Sequence, residues 1–89
     1  MPTDMNVILE NLYLGSIEAA LHTDILKDAG VTHILTIDDR PLSHETTNKF
    51  TSKYIHGLDL HDTDLLTYFD ECIDFINEGR KAGGVLVHW

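Results

Sequence analysis

Residues 65–88, reading LLTYFDECIDFINEGRKAGGVLVH, decide the fold, because the period of their apolar residues changes partway along. Leu65, Leu66, Phe69, Cys72, Ile73 and Ile76 recur at i, i+1, i+4, i+7, i+8 and i+11, one face of a 3.6-residue helix. Thr63 or Asp64 can cap that helix, and acids in its first turns suit the macrodipole. Gly83-Gly84 then breaks the chain, and Val85-Leu86-Val87-His88 is an unbroken apolar run of the kind buried on both faces of a sheet. A helix leading straight into a doubly buried strand is half of a parallel α/β unit.

The preceding residues fit that unit. Lys53-Tyr54-Ile55-His56-Gly57-Leu58 reads as an internal-type strand ahead of the helix, and Val31-Thr32-His33-Ile34-Leu35-Thr36-Ile37 as another. Between them, Asp38 to Asn48 is polar, contains Pro41 and reads as a surface loop. Ser16 to Ala29 is helical in pattern. Ser16 serves as N-cap and Ile17, Ala20 and Leu21 share a face; Thr23 caps a second set of turns that buries Ile25, Leu26 and Ala29 before Gly30 ends it. Asn6-Val7-Ile8-Leu9 and Leu12-Tyr13-Leu14, separated by Glu10-Asn11 and closed by Gly15, form a hairpin or two short strands. Alternating helices and buried strands give an α/β domain, a central and mostly parallel sheet flanked by helices. Ligands of such sheets bind outside the carboxyl ends of the strands. The last strand reaches the end of the 89 residues, so 1–89 is expected to be one domain truncated after that strand.

Fifteen Asp and Glu against six Lys and Arg give a formal charge of −9. That balance disfavours nucleic acid, whose phosphates demand cations, and an anionic membrane surface. No stretch approaches the roughly 18 apolar residues of a membrane span. Met1-Pro2-Thr3-Asp4 lacks the cationic and apolar regions of a signal peptide. One cysteine, Cys72, excludes an internal disulfide framework and suits a reducing compartment, cytoplasmic or nuclear.

Five segments in register carry a family resemblance: Asn11-Leu12-Tyr13-Leu14-Gly15-Ser16, Gly30-Val31-Thr32-His33-Ile34-Leu35, Asp64-Leu65-Leu66, Phe75-Ile76 and Val85-Leu86-Val87-His88. In order and spacing they resemble the N-terminal part of a dual specificity protein phosphatase, of the cysteine-dependent protein tyrosine phosphatase superfamily. The likeness is strongest to the atypical type with a zinc-binding C-terminal domain. The resemblance implies a protein-tyrosine-phosphatase-like fold and hydrolysis of phosphotyrosine and phosphoserine/threonine in phosphoprotein substrates.

In the family a Val-His dipeptide precedes the nucleophilic Cys, a phosphate-cradling loop and an Arg. A thiolate attacks phosphorus, its pKa lowered by backbone N–H groups and a nearby cation, while the planar guanidinium clamps phosphoryl oxygens. His88 matches the residue before the nucleophile, flanking the catalytic loop, where it would tune the thiolate; it is otherwise a buried strand histidine. Trp89 stands where the family has its Cys, so residues 1–89 offer no nucleophile of their own and no activity is expected from them alone. Asp59, five residues before Asp64, matches the general acid that protonates the leaving oxygen. With no nucleophile it would be vestigial, and the bland alternative is a solvated carboxylate in an acidic loop.

Cys72 lies on the helix's apolar face and reads as core. Asp59, Asp62 and Asp64 with His56 and His61 suggest a metal only weakly: no Gly turn or distal Glu is spaced for calcium, and two histidines do not define a zinc site. No metal and no cofactor are expected. The alternative to a phosphatase segment is a non-catalytic interaction module or an unstable splice product that needs a protein partner or chaperone. Under either reading, without the helices that follow in the family, the 31–37 and 53–58 strands are expected to leave apolar side chains facing water.

Overall fold

The computed structural model describes residues 5–57 and 65–88. Met5–Leu9 (β1) and Leu12–Gly15 (β2) pair antiparallel across Glu10-Asn11, with an irregularity between Val7 and Leu9. Asn11 takes a positive φ of 62°, which this tight turn requires and Asn tolerates. Ile17–Leu21 (α1) and Thr23–Asp28 (α2) follow, then His33–Asp38 (β3), His44–Thr47 (α3), Thr51–His56 (β4), Leu65–Ala82 (α4) and Val85–His88 (β5). The sheet order is β1-β2-β5-β3-β4, and every pairing except β1–β2 is parallel. The last strand in sequence therefore lies in the middle of the sheet.

Strand alternation divides the core in two. On one face, Ile34 and Leu86 meet Ala19, Ala20, Leu26, Val31 and Leu42. On the other, Leu35, Ile55 and Val87 receive Tyr68, Cys72, Phe75 and Ile76 of α4. Burying a side chain such as Leu35 or Leu86 fully stabilises by about 1.5–3 kcal/mol. Gly79 lets α4 approach the sheet: a Cβ there would lie 2.9 Å from the Cβ atoms of His33 and Val85. Gly30, with φ 87°, closes α2 at the expected position, its N–H donating to the Lys27 carbonyl.

Several expectations need correction. The 53–58 segment is not internal: its regular part, β4, is an edge strand whose Thr51, Ser52 and Tyr54 are exposed. The 31–37 strand does not leave its side chains facing water, since His33, Ile34, Leu35 and Thr36 are all buried. The 38–48 segment is not wholly a surface loop; it contains α3, and its Leu42 and Thr46 are buried. Ser16 takes the N-cap position of α1 without a side-chain bond, and His22 rather than Thr23 occupies that of α2. Ile17, Leu21 and Ala29 are exposed, because α1 turns Ala19 and Ala20 inward instead and α2 buries Leu26. On α4 the buried stripe is rotated: Tyr68 and Phe75 pack inward with Cys72 and Ile76, leaving Phe69 and Ile73 about half exposed.

Candidate functional site

β2, β5, β3 and β4 run parallel, so their carboxyl ends share one edge of the sheet. Gly15, His88, Asp38 and His56 end these strands; His88 registers with Gly15 and Thr36, and Asp38 with His56. The Tyr54 hydroxyl donates to the Asp38 carbonyl at 3.0 Å, and the Asp38 carboxylate accepts the Asp39 N–H at 2.7 Å. The Tyr54 and His56 rings meet edge to face at 6.3 Å. This edge therefore carries a carboxylate and two imidazoles, at the ends of β3, β4 and β5.

His88 is the unusual member. It is fully buried, and neither ring nitrogen has a hydrogen-bond partner among the described residues. A buried polar group without a partner costs free energy that a fold normally avoids. Burial pushes its pKa below the ordinary histidine value, and the Asp38 carboxylate partly opposes that shift. The neutral ring is thus the folded form. Because the folded pKa lies below the unfolded one, the unfolded chain binds more protons as the pH drops beneath about 6.5. Stability held above that point is lost on the way down to the folded pKa. Urea midpoints measured from pH 7.5 to 5 should fall, and His88→Phe should flatten part of the fall. Superimposable wild-type and variant profiles would show that His88 ionises as freely folded as unfolded.

Asp59 and Trp89 lie outside the described residues, as do His61, Asp62 and Asp64. Among the described residues no cluster of three His, Cys, Asp or Glu side chains could hold a metal. Cys72 is half-buried on α4, away from this edge and beside the Lys53–Glu71 ion pair of 3.5 Å. Burial raises its thiol pKa, the Lys53 ammonium lowers it, and the Glu71 carboxylate raises it again. That environment makes a poor nucleophile at neutral pH. A polar cleft of about 370 Å³, lined by Glu10, Asn11, Asn77, Arg80 and Lys81, lies at the opposite edge. There Arg80 Nε donates to the Glu10 carbonyl at 2.9 Å and the Asn11 amide to the Arg80 carbonyl at 3.2 Å, tying the β1–β2 turn to α4. Asp38 was not singled out from the sequence; its place at the end of β3, level with the end of β5, was the available signal.

Fold and edge together define an open, mostly parallel α/β domain whose candidate site lies at the end of its central strand. No protein-family model matches the sequence. Dual specificity protein phosphatase 1 of Arabidopsis thaliana is 45% identical over 84 residues, covering 93% of this chain and 42% of that protein. A probable dual specificity protein phosphatase of Dictyostelium discoideum is 42% identical over 85 residues, covering 96% and 39%. The crystal structure of human DUSP28 superimposes with a TM-score of 0.79 at 22% identity, over 99% of this chain and 60% of that one. The chain thus spans about two-fifths of the length of those two curated relatives. Over nearly its whole length the chain is similar in sequence to dual specificity protein phosphatases, and it shares the fold of DUSP28.

Proposed function

We propose that residues 1–89 are the scaffold-and-acid portion of a dual specificity phosphatase domain, acting on phosphotyrosine and phosphoserine/threonine of phosphoproteins in the cytoplasm or nucleus. His88 carries the reading: a fully buried imidazole whose two ring nitrogens have no partner among the described residues, at the carboxyl end of the central strand, in a chain 45% identical over 84 residues to such a phosphatase. Asp59 is the general acid in this scheme, and His88 flanks the loop that would hold the nucleophile. The nucleophile is not among these residues. Cys72 is the sole thiol and its pKa is raised, while Trp89 follows His88 and an indole cannot attack phosphorus. That same Trp89 favours the second reading, a non-catalytic interaction module that keeps the fold without the chemistry.

Purified 1–89 should hydrolyse an aryl phosphate no faster than a buffer blank, and Trp89→Cys should not rescue it, since no loop of backbone N–H groups would hold the phosphoryl oxygens. Vanadate-sensitive turnover that survives repurification would overturn this. Fusing residues 1–88 to the part of the Arabidopsis protein beyond the match tests the positive half: vanadate-sensitive hydrolysis supports the phosphatase reading, and an inert but folded fusion supports the module.

A further inference from the structure

Two of the chain's six basic residues, Arg80 and Lys81, meet in the polar cleft beside the β1–β2 turn, in a chain of formal charge −9. Their place in the last turn of α4 suits the helix macrodipole, and that alone would account for a basic residue there. Arg80 does more. Its Nε donates to the Glu10 carbonyl at 2.9 Å and its own carbonyl accepts the Asn11 amide at 3.2 Å, so side chain and backbone are both anchored to the turn. Of the guanidinium's donors only Nε is engaged, and the Nη donors have no partner among the described residues. The ion pairs among those residues are His33–Glu78 and Lys53–Glu71, so Arg80 and the exposed Lys81 both keep their charge unpaired. A cation already fixed in place loses little freedom when a ligand arrives.

The lining selects the ligand. Arg80 and Lys81 bring two positive charges and Glu10 one negative, which leaves the cleft one net positive charge. A single carboxylate balances it, whereas a phosphate dianion would overshoot beside the Glu10 carboxylate. The guanidinium fork matches a carboxylate with two parallel N–H···O bonds. The Glu10 carboxylate and the side-chain oxygens of Asn11 and Asn77 are acceptors, suited to N–H donors on either side of that carboxylate. A peptide supplies both, an acidic side chain and flanking backbone N–H groups. Capture of a chain's terminal carboxylate relies on a nest of free backbone N–H groups. Here the Gly83 and Val85 N–H groups are engaged by the Gly79 and Asn11 carbonyls, which favours a side chain over a terminus. The volume of about 370 Å³ falls in the range of roughly 300–1,000 Å³ usual for ligand sites. His88 stands three residues along β5 from Val85, about 10 Å at the rise of a strand, so an occupant of the cleft leaves the carboxyl-end edge free.

We propose that the cleft of Glu10, Asn11, Asn77, Arg80 and Lys81 docks an acidic segment of a partner protein, taking one Asp or Glu side chain on Arg80 and Lys81. The site goes beyond the phosphatase reading and does not depend on it. Its test titrates isotope-labelled 1–89 with the blocked peptide acetyl-Gly-Ser-Glu-Ser-Gly-amide, with its Gln counterpart and with inorganic phosphate. The Glu peptide should move the Asn11 and Asn77 side-chain amide signals saturably, and less as salt is raised. The Gln peptide should bind about tenfold more weakly, as a charge-assisted pair is lost. Lys81→Gln, at an exposed residue, should weaken the Glu peptide about threefold, the effect of one exposed charge, and Glu10→Gln should strengthen it about as much. Equal affinities for the Glu and Gln peptides, or for wild type and Lys81→Gln, overturn the proposal. Phosphate binding tighter than the Glu peptide also overturns it and makes the cleft a simple anion site. Fluorescence anisotropy of the dye-labelled Glu peptide, on the fusion of residues 1–88 to the remaining part of the Arabidopsis protein, repeats the comparison without resolved amide signals; no binding there overturns the proposal as well. Aryl phosphate hydrolysis by the fusion reports separately on the phosphatase reading, so either idea can fail alone.

Discussion

In the fusion of residues 1–88 to the remainder of the Arabidopsis relative, Asp59→Asn should lower turnover by about 10²–10⁴-fold, the usual contribution of a general acid. The proton that the carboxyl would give the leaving oxygen is needed only as the P–O bond breaks. An amide of the same shape keeps the ground-state contacts, so affinity for vanadate should change little. This split between turnover and binding separates proton donation from mere support of the loop. A large effect at Asp62→Asn or Asp64→Asn, with Asp59→Asn near wild type, would place the acid elsewhere in that acidic run.

Leu86→Ala carries the largest expected effect on stability. Leu86 is fully buried on the central strand and packs with Ile34, Leu26 and the two alanines of α1. Truncating it removes transfer free energy and leaves a cavity that β3, α1 and α2 cannot easily close, which costs about 2–5 kcal/mol. Intact domains are stable by only about 5–15 kcal/mol, so the variant is expected to be largely unfolded or to melt at much lower urea. Leu9→Ala serves as the comparison, since Leu9 is 53% exposed on the edge strand β1. It should shift stability by no more than about 0.5 kcal/mol. Equal urea midpoints for the two variants would mean that the sheet centre is not the cooperative core.

The strands buried on both faces were legible because they need no alternation: Val31–Ile37 and Val85–His88 read as continuous apolar runs, and the glycines around them mark their limits. β4 misled for a local reason. Tyr54, Ile55 and Leu58 resemble a buried run, yet an edge position is set by which strand inserts beside β3, a property of topology rather than of six residues. On α4 the apolar residues outnumber those one face can hide, so the periodicity admitted two rotations. Tyr68 and Phe75 won the sheet side because Gly79, one turn beyond Phe75, allows the close approach there. At the site, His88 was found through its family position, and its lack of partners required coordinates. Asp38 was missed because an acid after a strand is ordinary in sequence and acquires meaning only beside the end of β5.

The central place of β5 has a consequence for the order of assembly. β2 and β3 share no ladder; β5, which pairs with both, is what joins them in the sheet. Until residues 85–88 arrive, the β1–β2 hairpin and the β3–β4 pair are two separate pieces joined by α1 and α2. The hairpin can close across its two-residue turn, but its bond to the rest of the sheet spans more than seventy positions, from Leu12 to Val85. Such long closures come late and slow folding, because chain entropy is lost before the contacts form. During synthesis the amino-terminal pieces would wait with an open slot between them, wide enough for one strand. The residue that completes the slot at its carboxyl end is His88, so the register of the candidate site is set when β5 enters the sheet.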